Sequence, residues 1–284
     1  MIYGKINNGQ VRIHYYRTYD NKPTLIFLHG MADYGLCWSR TVFPFINRYD
    51  VVLIDARGHG LSDSPQVGYS SIHHAEDVHQ VKQSLSIDSP ILIGHSMGAA
   101  IAIEAAIKFP DDFTGIVLVD PPWRENDQTV NNDSQRQRES VLRSNIASLK
   151  IKTSSELFDL CFSKFPNWNK KDAEHWAKAK QLVSLNAVNG YYQSRQPWMS
   201  RAKMIKCPTL LICSDPDSGG IVTEKVVQEA ATFVDRLESV HINTAGHYIH
   251  LDKPAEFAEA VGRFVEKCIK KIKKKRKRWF LSNR

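Results

Sequence analysis

The stretch Ile91-Leu92-Ile93-Gly94-His95-Ser96-Met97-Gly98-Ala99-Ala100 places a serine between two glycines, where a buried strand gives way to a helix. The pattern is G-x-S-x-G, and it carries meaning in this strand-to-helix context. So sharp a turn forces Ser96 into a strained backbone conformation and leaves its hydroxyl exposed. Gly94 and Gly98 leave room for the turn, since a Cβ at either position would crowd the neighbouring chain. The stretch therefore predicts Ser96 as a nucleophile at the start of a helix.

A second turn, His29-Gly30-Met31, follows the predicted buried strand Thr24–Leu28. Such a turn can aim a backbone N–H at the oxygen of a substrate carbonyl, and the amide after a nucleophilic serine points to the same place. The amides of Met31 and Met97 are therefore predicted to form an oxyanion hole. His29 has two interpretations, a wall of the substrate pocket or a buried structural histidine.

Short strands alternate with helices along most of the chain. Six apolar runs are typical of parallel strands, several of them continuous enough to be buried on both faces: Thr24–Leu28, Val51–Ile54, Pro90–Ile93, Ile116–Val119, Leu210–Cys213 and Val240–Ile242. A further run, Val11–Arg17, alternates apolar and polar side chains, which is typical of an antiparallel edge strand. Strands that alternate with helices predict an α/β fold, a mostly parallel sheet flanked by helices.

One interval, from Pro121 to Pro208, contains no convincing strand and is too long for a loop inside a compact domain. It holds four of the six tryptophans: Trp123, Trp168, Trp176 and Trp198. We therefore expect residues 121–208 to form a helical cap over a core made of 1–120 and 209–268. Residues 269–284 form a basic tail. Trp123 leaves the sheet near the predicted active-site edge and is expected to line the substrate pocket.

Four motifs occur in an order that resembles the α/β-hydrolase superfamily: His29-Gly30-Met31, Asp55-Ala56-Arg57-Gly58-His59-Gly60-Leu61-Ser62, Gly94-His95-Ser96-Met97-Gly98 and Gly246-His247. The resemblance covers about residues 10 to 268 and is specific for the fold rather than for a substrate. It implies a mostly parallel eight-stranded sheet with the helical cap inserted after strand 6. It also implies Ser96 as nucleophile, His247 as base and an acid shortly after the strand Leu210–Cys213.

The position of His247 supports its role as the base. It lies in a loop after the last strand, at the carboxyl edge of the sheet where Ser96 also lies. An imidazole near its ordinary pKa removes a serine proton at neutral pH, and a carboxylate then fixes its tautomer. His250 is the main alternative to His247 as the base, and it could line the pocket instead.

The triad acid has three candidates. The family's usual offset from the penultimate strand selects Asp217. Ser214 replaces the usual glycine and Ser218-Gly219-Gly220 lengthens the loop, so Asp215 remains open. Asp120, at the end of the strand Ile116–Val119, is the third candidate, because some relatives take their acid from that strand.

Two departures from related enzymes narrow the class of reaction. Relatives that dehalogenate alkyl halides or open epoxides use Asp as nucleophile, whereas this chain has Ser96; haloalkane enzymes also place Trp where this chain has Met97. The sequence therefore predicts a serine hydrolase, close to the carboxylesterases, that acts on a small or medium acyl substrate such as an ester or lactone. A carbon–carbon bond hydrolase, a lyase-type synthase and a non-catalytic ligand-binding protein are the alternatives. No metal or cofactor is expected.

The net charge of +8 belongs to the end of the chain. Ten of the 38 Lys and Arg lie in residues 267–284, which contain no acid, so the remainder has 28 basic and 30 acidic side chains and a balance of −2. The body gives no reason to expect nucleic-acid binding. Residues 270–281 are either a solvated extension of the last helix or a weak contact for anionic membranes.

Three further features bear on localisation. The five cysteines are odd in number and scattered, which is typical of a reducing compartment. No run of apolar residues is long enough for a transmembrane helix, and the N-terminus has no secretory signal pattern. We therefore expect a cytoplasmic protein, peripheral to the membrane if the basic tail binds there.

Overall fold

A computed structural model describes residues 1–19, 21–125, 132–189, 191 and 197–282, with side chains described except at 132 and 272–282. Among these residues eight strands form one sheet: β1 Ile2–Asn7, β2 Arg12–Arg17, β3 Thr24–Leu28, β4 Asp50–Ile54, β5 Ile91–His95, β6 Gly115–Val119, β7 Thr209–Ser214 and β8 Leu237–Ile242. Their order across the sheet is β1-β2-β4-β3-β5-β6-β7-β8. β2 pairs antiparallel with β1 and with β4, and every other pair is parallel. The predicted mostly parallel, eight-stranded sheet is confirmed.

The five middle strands of the sheet, β4, β3, β5, β6 and β7, are buried at every residue. Helices cover both of their faces, which is why the sequence shows continuous apolar runs there. β1 was not among the predicted strands, because it lies at the sheet edge with no fully buried residue and so has no apolar face to detect.

The described residues also form nine α-helices: α1 Ser71–Ser84, α2 Met97–Lys108, α3 Asn132–Lys150, α4 Ser154–Lys164, α5 Lys170–Leu182, α6 Trp198–Ala202, α7 Glu224–Phe233, α8 Ile249–Asp252 and α9 Pro254–Ser282. Short 3₁₀ helices span Gly35–Trp38, Leu185–Val188 and Pro216–Ser218. Side-chain caps explain several starts: the Ser70 hydroxyl accepts from the His73 amide before α1, and the Thr223 hydroxyl accepts from the Val226 amide before α7. α9 extends past the predicted end of the folded body, through the basic segment to Ser282.

The segment 121–208 lies between β6 and β7, and its described residues contain α3 to α6 and no strand. Trp168 and Trp176 pack together in a cluster that includes Leu251, while Trp123 and Trp198 join the main core. The helical content agrees with the expectation for this segment, while its role as a cap and the boundaries at 120 and 209 remain predictions. None of the described helices is long and apolar enough to cross a bilayer.

Candidate active site

The turn between β5 and α2 holds Ser96 in a strained conformation, with φ 51° and ψ −109°. Two backbone contacts explain why glycines flank it. A Cβ on Gly94 would lie 2.2 Å from the Gly98 carbonyl oxygen, and a Cβ on Gly98 would lie 2.1 Å from the Leu28 carbonyl oxygen. Ser96 is partly exposed, as the sequence predicts for a nucleophile at this turn.

The His247 side chain is hydrogen-bonded to Asp120. Its Nδ1 lies 2.6 Å from Asp120 Oδ2, and the carboxylate is fully buried while the imidazole is 27% exposed. The Asp120 oxygens also accept hydrogen bonds of 2.9 to 3.0 Å from the Ile221 and Val222 amides. These donors hold a buried carboxylate in one orientation, so that His247 Nδ1 carries its proton and Nε2 is left to accept another.

Strand pairing brings Ser96 next to this pair. His95 is in register with Val119 in the parallel β5–β6 ladder, and the Ser96 amide donates to the Val119 carbonyl at 3.0 Å. The next residue after Val119 is Asp120. The His247 ring lies over the same edge, with its centroid 4.5 Å from that of His95. Ser96 and the hydrogen-bonded pair of His247 and Asp120 therefore lie at the same carboxyl edge of the sheet.

Asp217, the first choice for the acid, does not occupy this position. It is exposed in the 3₁₀ helix Pro216–Ser218 and has no hydrogen bond to His247. Asp215 is engaged elsewhere: its oxygens lie 2.6 Å from His241 Nε2 and 2.6 Å from the Thr244 amide. The geometry thus favours Asp120, the third candidate, because the loop after β7 directs backbone amides rather than a carboxylate towards the site.

His250 makes no hydrogen bond to Asp120 and is held by packing instead. It is buried and stacks on Trp38 with ring centroids 4.1 Å apart, and burial lowers its pKa to about 3. His95 has a structural contact that sequence reasoning missed: its Nε2 lies 2.9 Å from the His247 carbonyl oxygen and donates to it. Burial, followed by the nearby His247, lowers the pKa of His95 well below its ordinary value. A neutral His95 therefore ties the His247 loop to the serine turn.

The predicted oxyanion donors, the amides of Met31 and Met97, make no hydrogen bond to any other described residue. Met31 lies in a turn closed by the Asp33 amide, which donates to the Gly30 carbonyl at 3.1 Å. Ala32 in this turn has φ 60°, and its amide donates to His59 Nε2 at 3.2 Å. The turn thus fixes the Met31 residue while its backbone N–H makes no hydrogen bond within the described part of the protein.

His29 is a buried structural histidine rather than a wall of the pocket. Its Nε2 accepts from the Ala56 amide at 3.0 Å, so its Nδ1 carries the proton and donates to the Gly30 carbonyl at 2.8 Å. Only 2% of His29 is exposed, and burial is the main cause that lowers its pKa. The sequence left both interpretations open, and these contacts select the structural one.

Backbone strain is concentrated around the site. Seven described non-glycine residues have positive φ, and four of them belong to the segments just described: Ala32, Ser96, Asp120 and Thr244. Each such residue costs about 1–3 kcal/mol unless its surroundings impose it. That cost at four neighbouring loop positions is typical of a site whose geometry is selected for chemistry.

A groove of about 300 Å³ runs beside α2, one helical turn along from Ser96. Its described lining comprises Ser71, Ile72, Ala100, Ile103, Glu104, Pro122, Trp123, Tyr191, Trp198 and Arg201. Trp123 is only 2% exposed and stacks on Trp198 with centroids 4.9 Å apart. Trp123 thus borders a groove near the turn at Ser96 but also packs in the core, so its contact with substrate remains a prediction.

We expect the protein to lose stability below about pH 6.5. Five imidazoles are buried with lowered pKa: His29, His59, His74, His95 and His250. Burial is the main cause in each case, and it lowers the pKa of His59 to about 3. The unfolded chain takes up protons as pH falls through about 6.5 while the folded chain does not, so stability is present above that pH and is lost below it.

At about pH 5, His59 and His250 should each lower the free energy of unfolding by about 2 kcal/mol. Urea titrations near pH 7.5 and pH 5 measure the difference. An unfolding free energy that stays constant between these pH values would show that the buried imidazoles accept protons without loss of structure.

Comparison with known proteins supports the fold. A family model described as the alpha/beta hydrolase fold matches residues 23–254. N-formylmaleamate deformylase of Pseudomonas putida is 25% identical over 268 residues, covering 93% of this chain and 96% of that protein. Epoxide hydrolase 1 of Caenorhabditis elegans is 25% identical over 282 residues, covering 91% of this chain and 69% of that protein. The crystal structure of E-2-(acetamidomethylene)succinate hydrolase superposes with a TM-score of 0.78 at 19% identity, covering 93% of this chain and 99% of that one.

The family match extends from β3 to the start of α9 and therefore includes Ser96, Asp120 and His247. The superposition covers 93% of this chain, so the likeness in fold extends over nearly its whole length. The chain belongs to the α/β-hydrolase fold family.

Proposed function

We propose that the chain is a serine hydrolase that cleaves a small or medium acyl substrate, a carboxylic ester or lactone, with Ser96, His247 and Asp120 as its triad. The observation that carries the proposal is the 2.6 Å contact between His247 Nδ1 and the buried Asp120 carboxylate, beside a strained serine. A serine needs a base to remove its proton, and the base needs a carboxylate to stabilise its charged form.

The mechanism follows from this geometry. Ser96 Oγ attacks the substrate carbonyl carbon while His247 Nε2 takes the hydroxyl proton, and the oxyanion accepts hydrogen bonds from the Met31 and Met97 amides. Collapse of the tetrahedral intermediate breaks the bond to the alcohol, which leaves with the proton from His247. Water then attacks the acyl-enzyme by the reverse proton transfers and releases the acid and free Ser96.

The nucleophile argues against two activities that share this fold. Opening an epoxide by the family's route requires an Asp nucleophile, so the similarity to a protein named epoxide hydrolase does not extend to the reacting residue of this chain, Ser96. A pure ligand-binding role has no use for a buried carboxylate held against His247. A carbon–carbon bond hydrolase or lyase-type synthase would use the same serine and histidine. Only the substrate that is turned over distinguishes these activities from ester hydrolysis.

An amide substrate is the second candidate. The relative named N-formylmaleamate deformylase is matched over 96% of its length, and its name describes removal of a formyl group from an amide nitrogen. The same triad performs this step, with the amine leaving group taking the proton from His247. A small formyl or short acyl group is consistent with either candidate.

Hydrolysis of a substrate panel tests the proposal. The panel contains p-nitrophenyl esters of graded chain length, a lactone, an N-formyl amide and a vinylogous diketone. We expect turnover of a short ester or amide, lowered by about 10³-fold or more in Ser96→Ala. Ser148→Ala, an exposed serine in α3, is the matched control and should keep wild-type rates. Equal turnover by wild type and Ser96→Ala, or no turnover by folded wild type, would contradict the proposal.

For the cellular setting, we propose a cytoplasmic protein whose basic tail binds anionic lipid surfaces. Residues 270–281 contain eight Lys and Arg followed by Trp279, Phe280 and Leu281, and α9 continues as a helix to Ser282. Basic residues next to aromatic ones are attracted to anionic headgroups and can insert at the interface. The acidic balance of the rest of the chain confines this attraction to the tail.

Co-sedimentation with vesicles tests the tail. We expect the full chain to bind vesicles of phosphatidylcholine mixed with phosphatidylglycerol but not of phosphatidylcholine alone, with binding lost at high salt. A chain ending at Ile269 should stay in solution. Equal binding by the truncated chain would contradict membrane attachment through the tail. So would a full chain that does not bind the anionic vesicles but binds RNA in a parallel assay.

A further inference from the structure

A buried lysine of the cap helix α5 contacts the turn that carries the predicted oxyanion donor. Lys180 Nζ donates to the Ala32 carbonyl oxygen at 2.8 Å and to Asp33 Oδ1 at 3.0 Å. Both side chains of the ion pair are 4% exposed, and the ammonium lies 4.7 Å from the centroid of the Trp176 ring.

The contact falls on a residue that is restrained from both sides. The Ala32 amide is held by His59 Nε2 and its carbonyl by Lys180, while its φ is 60°. Met31 immediately precedes Ala32 within the turn closed by Gly30 and Asp33. The Ala32 carbonyl and the Asp33 amide belong to one peptide unit, and the Gly30 carbonyl, which accepts from that amide, shares its peptide unit with the Met31 amide. A shift of the Ala32 carbonyl would therefore reach the Met31 amide through the hydrogen bond between Asp33 and Gly30.

Further polar contacts fix α5 against the same stretch of chain. The Tyr34 hydroxyl lies 2.6 Å from His175 Nδ1, and Arg40 Nε lies 2.9 Å from the Asp172 carboxylate. These contacts hold α5 in place against residues 34 to 40, and so they fix the position of the Lys180 side chain relative to the Ala32 carbonyl.

The charge of Lys180 survives its burial. Burial lowers the pKa of the ammonium, but the Asp33 carboxylate, with smaller contributions from Tyr248 and Cys37, raises it above its ordinary value overall. Buried ion pairs contribute little net stability, because desolvation offsets most of the attraction, so their use for fixing geometry is a better explanation of this one.

We propose that Lys180 is a positioning residue for catalysis: through the Ala32 carbonyl it sets the direction of the Met31 amide, so that the oxyanion hole is complete only with α5 in place. The inference rests on the proposed serine-hydrolase function. It adds that the cap is part of the catalytic apparatus and not only a cover over the substrate. An oxyanion donor acts mainly on the transition state, so its displacement lowers kcat more than it changes KM.

The test compares Asp33→Asn with the double variant Lys180→Met, Asp33→Asn. The first keeps the Lys180 donor to Ala32; the second removes it without leaving an unpaired buried carboxylate. Lys178→Met, an exposed lysine on the same helix, is the matched control. If the double variant does not fold, Lys180→Gln combined with Asp33→Asn replaces it.

On the best ester of the panel, we expect kcat of the double variant to fall about tenfold or more below Asp33→Asn, with KM within about twofold, since loss of a whole donor costs about 10²–10³. Hydrogen exchange of the peptide spanning Gly30 to Asp33 should speed up at equal melting temperature. Unchanged kcat and exchange in the folded double variant, or an equal loss in Asp33→Asn, would overturn the proposal. If wild type shows no Ser96-dependent turnover, the proposed function has failed, and the exchange comparison still decides whether Lys180 holds the turn.

Discussion

Replacing Asp120 with asparagine is expected to lower kcat about 10⁴-fold with the fold intact. The amide has nearly the same shape and its oxygen can still accept from the Ile221 and Val222 amides, which now bond the carboxylate. It cannot, however, hold His247 with its proton on Nδ1 or stabilise the imidazolium. Steady-state kinetics on the best substrate, with circular dichroism as a check on folding, measures the loss.

Asp217→Asn is the matched control, since Asp217 is exposed and lies one loop away. It should leave kcat within about twofold of wild type, as is usual for surface substitutions. A large loss in Asp217→Asn together with a small one in Asp120→Asn would return the acid to the position that the family offset selected.

Gly98→Ala is expected to destabilise the protein by about 3 kcal/mol or more, although alanine favours helices over glycine. The added Cβ would lie 2.1 Å from the Leu28 carbonyl oxygen and 2.9 Å from that of His29. Both atoms are backbone at the end of β3, so neither can turn away as a side chain would. α2 must therefore move from the sheet, and the turn at Ser96 moves with it.

Gly262→Ala provides the comparison within a helix. Gly262 lies in α9, and a Cβ there would meet nothing within 4 Å. The substitution should raise the free energy of unfolding by up to about 1 kcal/mol. Urea titration of both variants measures the contrast. A Gly98→Ala variant as stable as wild type would show that α2 and β3 can separate at no cost.

Much of the fold, and the identity of the proposed nucleophile, could be predicted from local sequence. The five middle strands are buried on both faces, so their apolar runs stand out, and the G-x-S-x-G turn forms because the glycines at 94 and 98 lie against backbone. His247 could be chosen over His250 because its loop follows the last strand. Each of these features is visible in a short stretch of sequence, although the backbone that Gly98 lies against belongs to the distant residue Leu28.

The features that the sequence ranked low or did not indicate depend on contacts between distant segments. Asp120 is oriented by amides about one hundred residues away, in a loop whose own acids, Asp215 and Asp217, looked better placed from strand-end counting. Two things pointed to Asp120: its position at the end of a buried strand, directly before Pro121, and the relatives that take their acid from that strand. Lys180 had no signal at all, because a lysine that pairs with Asp33 across 147 residues resembles its exposed neighbours in the same helix.

Labelling with a fluorophosphonate probe tests the central claim most directly, because the probe forms a covalent bond only with an activated serine. The chain has many serines, but among the described ones only Ser96 lies at a strained turn beside His247 and Asp120. Intact-mass and peptide mass spectrometry should show one probe per wild-type chain, attached to Ser96, with slow labelling of His247→Ala and none of Ser96→Ala. No labelling of folded wild type, or equal labelling of Ser96→Ala, would contradict the account.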